Sequence, residues 1–260
     1  MYWVEAFMLS IFFCMQIHCT KGIVLRTIIY GETSIITTIY TELFGIQHYI
    51  VKGVRQSTKK SHSKAIYFQP AAILEVEVYH NELKNLQFIK EFQWAVIYEQ
   101  LFSNVTKHAI AIYIIELLHR CLKQPEPNSN LFYIVENILK KIDTQTDRYI
   151  ANIPVYFILQ LTAELGFQIH GKISEDTPIL DLKEGQFVKD TPLHPFYVGH
   201  EQSLIISKLL HMKDENELGN ILLNRTLRQQ LLQTLQLFIS LHIADFGEIK
   251  SLSILQEILS

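Results

Sequence analysis

Cysteine is scarce in this chain, and the three present, Cys14, Cys19 and Cys121, form an odd and dispersed set. Such a set argues against a secreted disulfide framework and fits a reducing compartment. It also argues against a thiolate zinc centre, which takes two close Cys pairs or a Cys pair with a His pair. Cys14 and Cys19 share their neighbourhood with His18, and nothing nearby completes a tetrad. Other chemical signatures are missing as well. Eleven histidines are present, yet no His-Glu-x-x-His and no Cys-x-x-Cys occurs. His194 and His200 flank a Pro-Phe-Tyr-Val-Gly turn with no carboxylate at ligand spacing. There is no Gly-x-Ser-x-Gly elbow, and Ser57, Ser61 and Ser63 have no implied base. The run from Gly166 to Lys172 nearly spells a phosphate-binding loop, but Ile173 stands where the magnesium-holding Ser or Thr belongs. That run also follows a helical pattern rather than a strand, so Gly166 reads as a helix C-cap. Glu75 and Glu77 share one strand face, an arrangement more often solvated than metal-binding. No catalytic constellation emerges, and neither a metal nor any other cofactor is expected.

A long apolar run is also lacking. Residues 1–14 are apolar (Phe7, Met8, Leu9, Ile11, Phe12, Phe13), but the stretch is too short to span a bilayer as a helix. It has no basic leading region, carries Glu5, and shows no small-residue cleavage site. The expectation is that Met15 is the true start, that residues 1–14 are an upstream extension, and that the protein is cytoplasmic with no membrane partner. Strong net charge is missing too: the formal value is −3. The distribution is uneven, however. Lys21 to Lys90 holds nine Lys and Arg against five Asp and Glu, which leaves the remainder of the chain at −7. A basic module joined to an acidic one is the natural reading.

The basic module is strand-like. Ile23, Leu25 and Thr27 alternate with Val24, Arg26 and Ile28; Ser34–Thr41 and Tyr49–Val54 are rich in β-branched residues. Tyr30-Gly31-Glu32 and Phe44-Gly45 supply turns. Ile73–Tyr79 alternates again, and a fifth candidate covers Asn85–Phe92. Five short strands with one longer connection, about Gln56 to Tyr67, match a small Greek-key barrel of OB type, with a five-strand sandwich as the competing arrangement. After Phe92 the period becomes helical. Ile97, Leu101, Val105, Ile112, Ile115 and Leu118 recur at helical spacing. Leu131–Ile142 reads as a further helix, and Asn152 as the N-cap of one that Gly166 stops. Ser203–Met212 is a short helix, Asp214 a cap, and Thr226–Ile243 a long amphipathic helix with Leu227, Leu231, Leu235, Phe238 and Leu241 inward. The expected fold class is α+β. A five-stranded OB barrel spans residues 15–92, and an all-α domain spans 93–260 with a loop-rich segment at 167–200.

The densest feature is the connection after the third strand. Lys52, Arg55, Lys59, Lys60 and Lys64 follow one another with His62 and no acid between them. A run of this kind is often only a solvated loop. Here it belongs to a barrel whose first strand adds Lys21 and Arg26, and aromatics are interleaved (Tyr30, Tyr40, Tyr49, Tyr67, Phe68). Some of these must fill the barrel. Any left exposed can stack on unpaired bases, while the cations neutralise phosphates and release counterions.

The same stretches carry a family resemblance. Lys21-Gly22-Ile23-Val24-Leu25-Arg26-Thr27, Tyr30-Gly31-Glu32-Thr33-Ser34, Thr41-Glu42-Leu43-Phe44-Gly45, Lys52-Gly53-Val54-Arg55 and Phe68-Gln69-Pro70 resemble the N-terminal domain of the bacterial RecO family. Leu237 through Leu255 resembles that family's last helices. The resemblance implies a non-enzymatic recombination mediator in DNA repair. Such a protein binds single- and double-stranded DNA and anneals complementary strands. With RecR, it helps RecA replace single-strand-binding protein, which implies a nucleoid-associated location. Arg26, Lys52 and Arg55 stand at matching motif positions and inherit a DNA-contact role; Lys59, Lys60 and Lys64 follow from charge alone, and Gly31 and Gly53 shape turns. Many members carry a cysteine zinc cluster after a Leu-Gly-Phe segment. Leu165-Gly166-Phe167 has no Cys after it, so no zinc is expected. For the acidic, apolar tail of single-strand-binding protein, the candidate rim is Arg120, Lys140 and Lys141, which equally read as ordinary solvated charges. The competing functions are a protein-interaction scaffold that never touches DNA and, with less support, a metal-dependent nuclease.

Overall fold

A computed structural model describes residues 17–56 and 64–259. Residues 1–14, Lys59 and Lys60 therefore lie outside the described residues. The described chain forms two compact units, 17–97 with 124–132, and 98–123 with 133–259.

In the first unit, β1 (Ile17–Tyr30), β2 (Ser34–Thr41), β3 (Gly45–Val51), β4 (Ile73–Tyr79) and β5 (Leu86–Trp94) close into a barrel of order β1-β2-β3-β5-β4. This is the OB arrangement, and closure removes the sandwich alternative. The one parallel contact, His48–Ile50 of β3 against Leu86–Phe88 of β5, seals it. β1 is long enough to serve both neighbours: it pairs with β4 through Ile17–Ile23 and with β2 through Gly22–Tyr30, changing register between Val24 and Arg26. A bulge there turns the strand around the barrel corner. Alternation puts Ile39, Tyr49 and Leu74 on one face of the strands and Ile23, Tyr40 and Ile73 on the other, and all six are fully buried. A 3-10 helix, Lys64–Phe68, brings Phe68 into this core. Segment 124–132 completes the unit, with the Tyr40 hydroxyl donating to the Asn128 carbonyl at 2.8 Å.

The second unit is built from helices α1 (Val105–Cys121), α2 (Ser129–Thr144, most of it here), α3 (Asp147–Ile150), α4 (Ile153–Glu164), α5 (His200–Leu210), α6 (Arg225–His242) and α7 (Ser251–Ile258). The stripe read from Ile97 onward needs correction: α1 starts only at Val105, capped by Asn104, and both Ile97 and Val105 are exposed. Residues 99–101 instead form a turn whose three N–H groups donate to the Asp143 carboxylate, at 3.0, 2.8 and 2.7 Å. Lys107, buried beneath, donates to the Asp143 carbonyl at 2.6 Å and to Gln100 at 2.8 Å. Asn152 precedes α4 as expected but makes no capping bond. Its buried amide donates instead to the Leu218 and Ile221 carbonyls, both at 3.0 Å, where long-range partners outcompete the local one. Asp214 caps a 3-10 helix, Glu215–Asn220. The loop-rich segment contains a small antiparallel sheet of β6 (Ile179–Asp181), β7 (Gln186–Val188) and β8 (Tyr197–Val198) in the order β7-β6-β8. Among the described residues no helix is long and apolar enough to cross a membrane.

Candidate nucleic-acid interface

The turn between β1 and β2 is Gly31-Glu32-Thr33, and Gly31 takes a φ of 62° that side chains rarely adopt. Arg55 holds this turn. Its Nη1 donates to the Gly31 carbonyl at 2.9 Å and to the Glu32 carbonyl at 3.0 Å, and its backbone N–H donates to Thr33 at 3.1 Å. Gly53, at φ 72°, makes the bend that delivers Arg55 there directly after β3. The Ala65 N–H then bonds the Val54 carbonyl at 3.1 Å, which sets the Lys64 segment beside the Arg55 segment. At its other end the 3-10 helix returns to β1, where the Thr27 hydroxyl donates to the Phe68 carbonyl at 2.7 Å, one residue from Arg26.

These bonds gather the segments bearing Arg26, Lys52, Arg55 and Lys64 at one end of the barrel. Arg26, Lys52 and Lys64 are exposed and make no ion pair among the described residues. Lys52 lies 5.4 Å from the centroid of the Phe88 ring, a cation–π contact that leaves its charge at the surface. Lys21 does not join them. It stands opposite Glu75 in the β1–β4 register, on the side of the barrel where Glu75, Glu77 and Glu91 line a groove of about 150 Å³ with Cys19. There Lys90 bonds Glu77 at 2.9 Å, and the Glu77 carboxylate holds the lysine pKa above its usual value.

The interleaved aromatics divide by role. Tyr40, Tyr49 and Phe68 are core, whereas Tyr30 is exposed and Tyr67 half-buried. Tyr67 stacks on Trp94 with ring centroids 4.7 Å apart and meets Phe92 edge-on at 5.2 Å. Trp94 and Phe88 were not singled out in the sequence. Trp94 lies in the end of β5, which runs past Phe92, whereas Phe88 falls within the strand expected over Asn85–Phe92.

In the second unit, Lys140 pairs with Glu136 at 2.7 Å and Lys141 pairs with Glu215. Burial pushes the Lys141 pKa down, but Glu215 and Tyr149 outweigh it and the net shift is upward. Arg120 lies beside Gly247 and helps hold the Glu116 carboxyl below its usual range. Burial acts against that lowering, and the Ser251 hydroxyl with the N–H groups of Ser251 and Lys250 overcomes it. All three cations thus have an acid beside them already. A different groove, of about 800 Å³, has Ile173, Leu204, Ile205, Met212, Ile221 and Leu222 as apolar lining, with Lys172, Lys208 and His211 among its polar residues. Glu217 also lines it. Among the described residues, no group of three or more His, Cys, Asp or Glu is placed to hold a metal ion.

The molecule is thus an OB-barrel protein with a helical second unit and a cation cluster at one barrel end. A family model described as "Recombination protein O N terminal" matches residues 15–98, and one described as "Recombination protein O C terminal" matches residues 103–172. The "DNA repair protein RecO" of Flavobacterium johnsoniae is 34% identical over 248 residues, covering 95% of this chain and 100% of the relative. That of Flavobacterium psychrophilum is 35% identical over 249 residues, with the same coverage. That of Azobacteroides pseudotrichonymphae is 29% identical over 244 residues, covering 94% and 99%. The chain belongs to the RecO family.

Proposed function

We propose that this protein is a recombination mediator in DNA repair that binds single- and double-stranded DNA through the end of its barrel. In this reading it anneals complementary strands and, with RecR, assists RecA loading on DNA coated by single-strand-binding protein. Its role is to bind and position strands rather than to catalyse, and it acts in the cytoplasm at the nucleoid. The observation that carries this reading is the grouping of Arg26, Lys52 and Lys64 without acidic partners, next to a turn that Arg55 holds rigid. Unpaired surface cations attract phosphates and release counterions, which gives sequence-independent and salt-sensitive affinity. Tyr67 and Trp94 are stacked aromatics on the same unit, of the kind that receives unpaired bases. Lys59 and Lys60 add charge to the same connection, whereas Lys21, set among acids, contributes least. Fluorescence anisotropy with single-stranded and duplex DNA, run in parallel with strand annealing, tests the reading: charge reversal at Lys52 and Lys64 should weaken both.

For the acidic, apolar tail of single-strand-binding protein, the groove that includes Lys172, Lys208 and His211 fits better than the paired lysines Lys140 and Lys141. It offers apolar surface with cations alongside, the complement of such a tail.

A further inference from the structure

Residues directly opposite each other on neighbouring strands share one face of a sheet. The register draws such a row across β1, β2, β3 and β5: Ile28 is opposite Ile36, Ile36 opposite Ile50, and Ile50 opposite Phe88. This row lies on the outside of the barrel, since the alternate positions Thr37, Tyr49 and Gln87 are buried within it. Ile28 is 46% exposed, Ile36 and Phe88 are half-buried, and Ile50 is nearly covered. The next row on the same face runs Arg26, Thr38, His48 and Leu86. Arg26 and His48 are exposed, and the Thr38 hydroxyl lies 2.9 Å from His48 Nδ1. On the other side of the apolar row, Lys52 follows Ile50 by two residues and lies 5.4 Å from the Phe88 ring centroid. Basic side chains therefore border the apolar row on both sides, and none of the residues in these rows is acidic. The other wall of the barrel, with Glu75, Glu77 and Glu91, has the opposite character. The open area ends at Tyr40, two residues beyond Thr38, which is buried and bonded to the Asn128 carbonyl.

We infer that this outer face seats the bases of an unpaired strand, with Phe88 stacking on one of them, and that it makes the site favour single strands over duplex. The inference rests on the nucleic-acid reading and adds to it which part of the surface reads strandedness. An apolar lane bordered by Arg26 on one side and Lys52 on the other is the complement of a single strand, whose bases are apolar on their faces and whose phosphates are anionic. Charge selects this occupant over an uncharged apolar segment, which would leave both cations without partners. A duplex keeps its bases inside and offers only phosphates, so it uses the cations and gains nothing from the lane. An unpaired base has a free π-face, and stacking on an aromatic ring tolerates any sequence. Phe88 is the one aromatic in the two rows. Its ring is held from the other side of the contact by the Lys52 cation, which places a phosphate-binding group next to the stacking group.

Fluorescence anisotropy on the full chain tests it, with oligothymidylate and a blunt duplex of equal length as probes and circular dichroism to establish that each variant is folded. Phe88→Ala should weaken oligothymidylate binding by at least about fivefold and leave duplex binding within about twofold. Phe88→Leu keeps an apolar side chain in the barrel wall but has no π-face, so it should show the same selective loss without the risk to folding. Phe88→Trp should hold or raise single-strand affinity. Lys52→Glu should weaken both probes, because both present phosphates. Phe88→Leu that changes neither affinity, or lowers both equally, overturns the inference and leaves the nucleic-acid reading standing. A wild type that binds neither probe overturns both.

Discussion

Arg55, in the connection that follows β3, donates to the carbonyl of Gly31, in the turn between β1 and β2, at 2.9 Å. The residue therefore shapes the surface that carries the cations, as well as adding to their charge. Lys52, three residues earlier, has no such bond to the backbone among the described residues and lies 5.4 Å from the Phe88 ring centroid. Two cations of one motif thus have different work.

The first prediction follows from that difference. Arg55→Ala should lower stability by about 1 kcal/mol, since two exposed hydrogen bonds to carbonyls are lost. Arg55→Lys should recover only part of that, because an ammonium cannot reproduce the planar donor geometry. Lys52→Ala should leave the melting temperature nearly unchanged. Thermal unfolding of the three variants checks the order.

Acid sensitivity should centre on Asp143. Burial pushes this carboxyl up, but the N–H groups of Glu99, Gln100 and Leu101, with Lys107 nearby, outweigh it and lower its pKa. A folded-state pKa below the unfolded one contributes stability above the unfolded value, and that contribution is lost as pH falls through the folded value. Wild type should lose stability from about pH 5 downward, and Asp143→Asn should lose less over the same range. At neutral pH Asp143→Ala should cost about 2–4 kcal/mol, since it leaves three backbone donors without their acceptor and removes the negative charge beside the buried Lys107, which keeps its bonds to the residue-143 carbonyl and Gln100. Urea titrations between pH 3 and 7 check both statements.

Thiol chemistry should separate the two described cysteines. Cys121 is buried, and burial pushes its thiol pKa up to about 12. Cys19 is exposed. In a Cys14→Ser background, iodoacetamide under native conditions should label Cys19, and Cys121 should react only after unfolding. Peptide mass mapping reads the outcome.

The groove in the helical unit gives a prediction that the sequence alone placed elsewhere. Lys208→Glu should reduce affinity for an acidic, apolar tail peptide by at least about tenfold at low salt. Lys140→Ala should leave it within about twofold, because Lys140 is already paired with Glu136. Isothermal titration of the peptide against each variant decides between the two locations.

The barrel was legible because alternation has period two and each strand of it is seven residues or more. Ile73–Tyr79 announces itself in this way, and Ser34–Thr41 by its β-branched residues. β6, β7 and β8 were not legible, since strands of two or three residues carry no period, and a proline-rich stretch reads as loop. Asn152 stands at the N-cap position of α4 as read, but a local capping rule cannot see that its side chain is engaged by the Leu218 and Ile221 carbonyls, 66 and 69 residues away. Within the candidate site, residue type marked the cations only as a group of like charge. It could not show that Lys21 falls among acids, that Lys141 already has Glu215, or that Trp94 stacks on Tyr67. Those facts depend on strand register and helix packing, which one sequence does not display.

The most direct test of the central claim is the slope of DNA affinity against salt. Single-strand binding should weaken linearly on logarithmic axes as salt rises, and Lys52→Glu with Lys64→Glu should cut the slope by about two and the affinity by at least about tenfold. A slope near zero in wild type, or one that the double reversal leaves unmoved, contradicts the account.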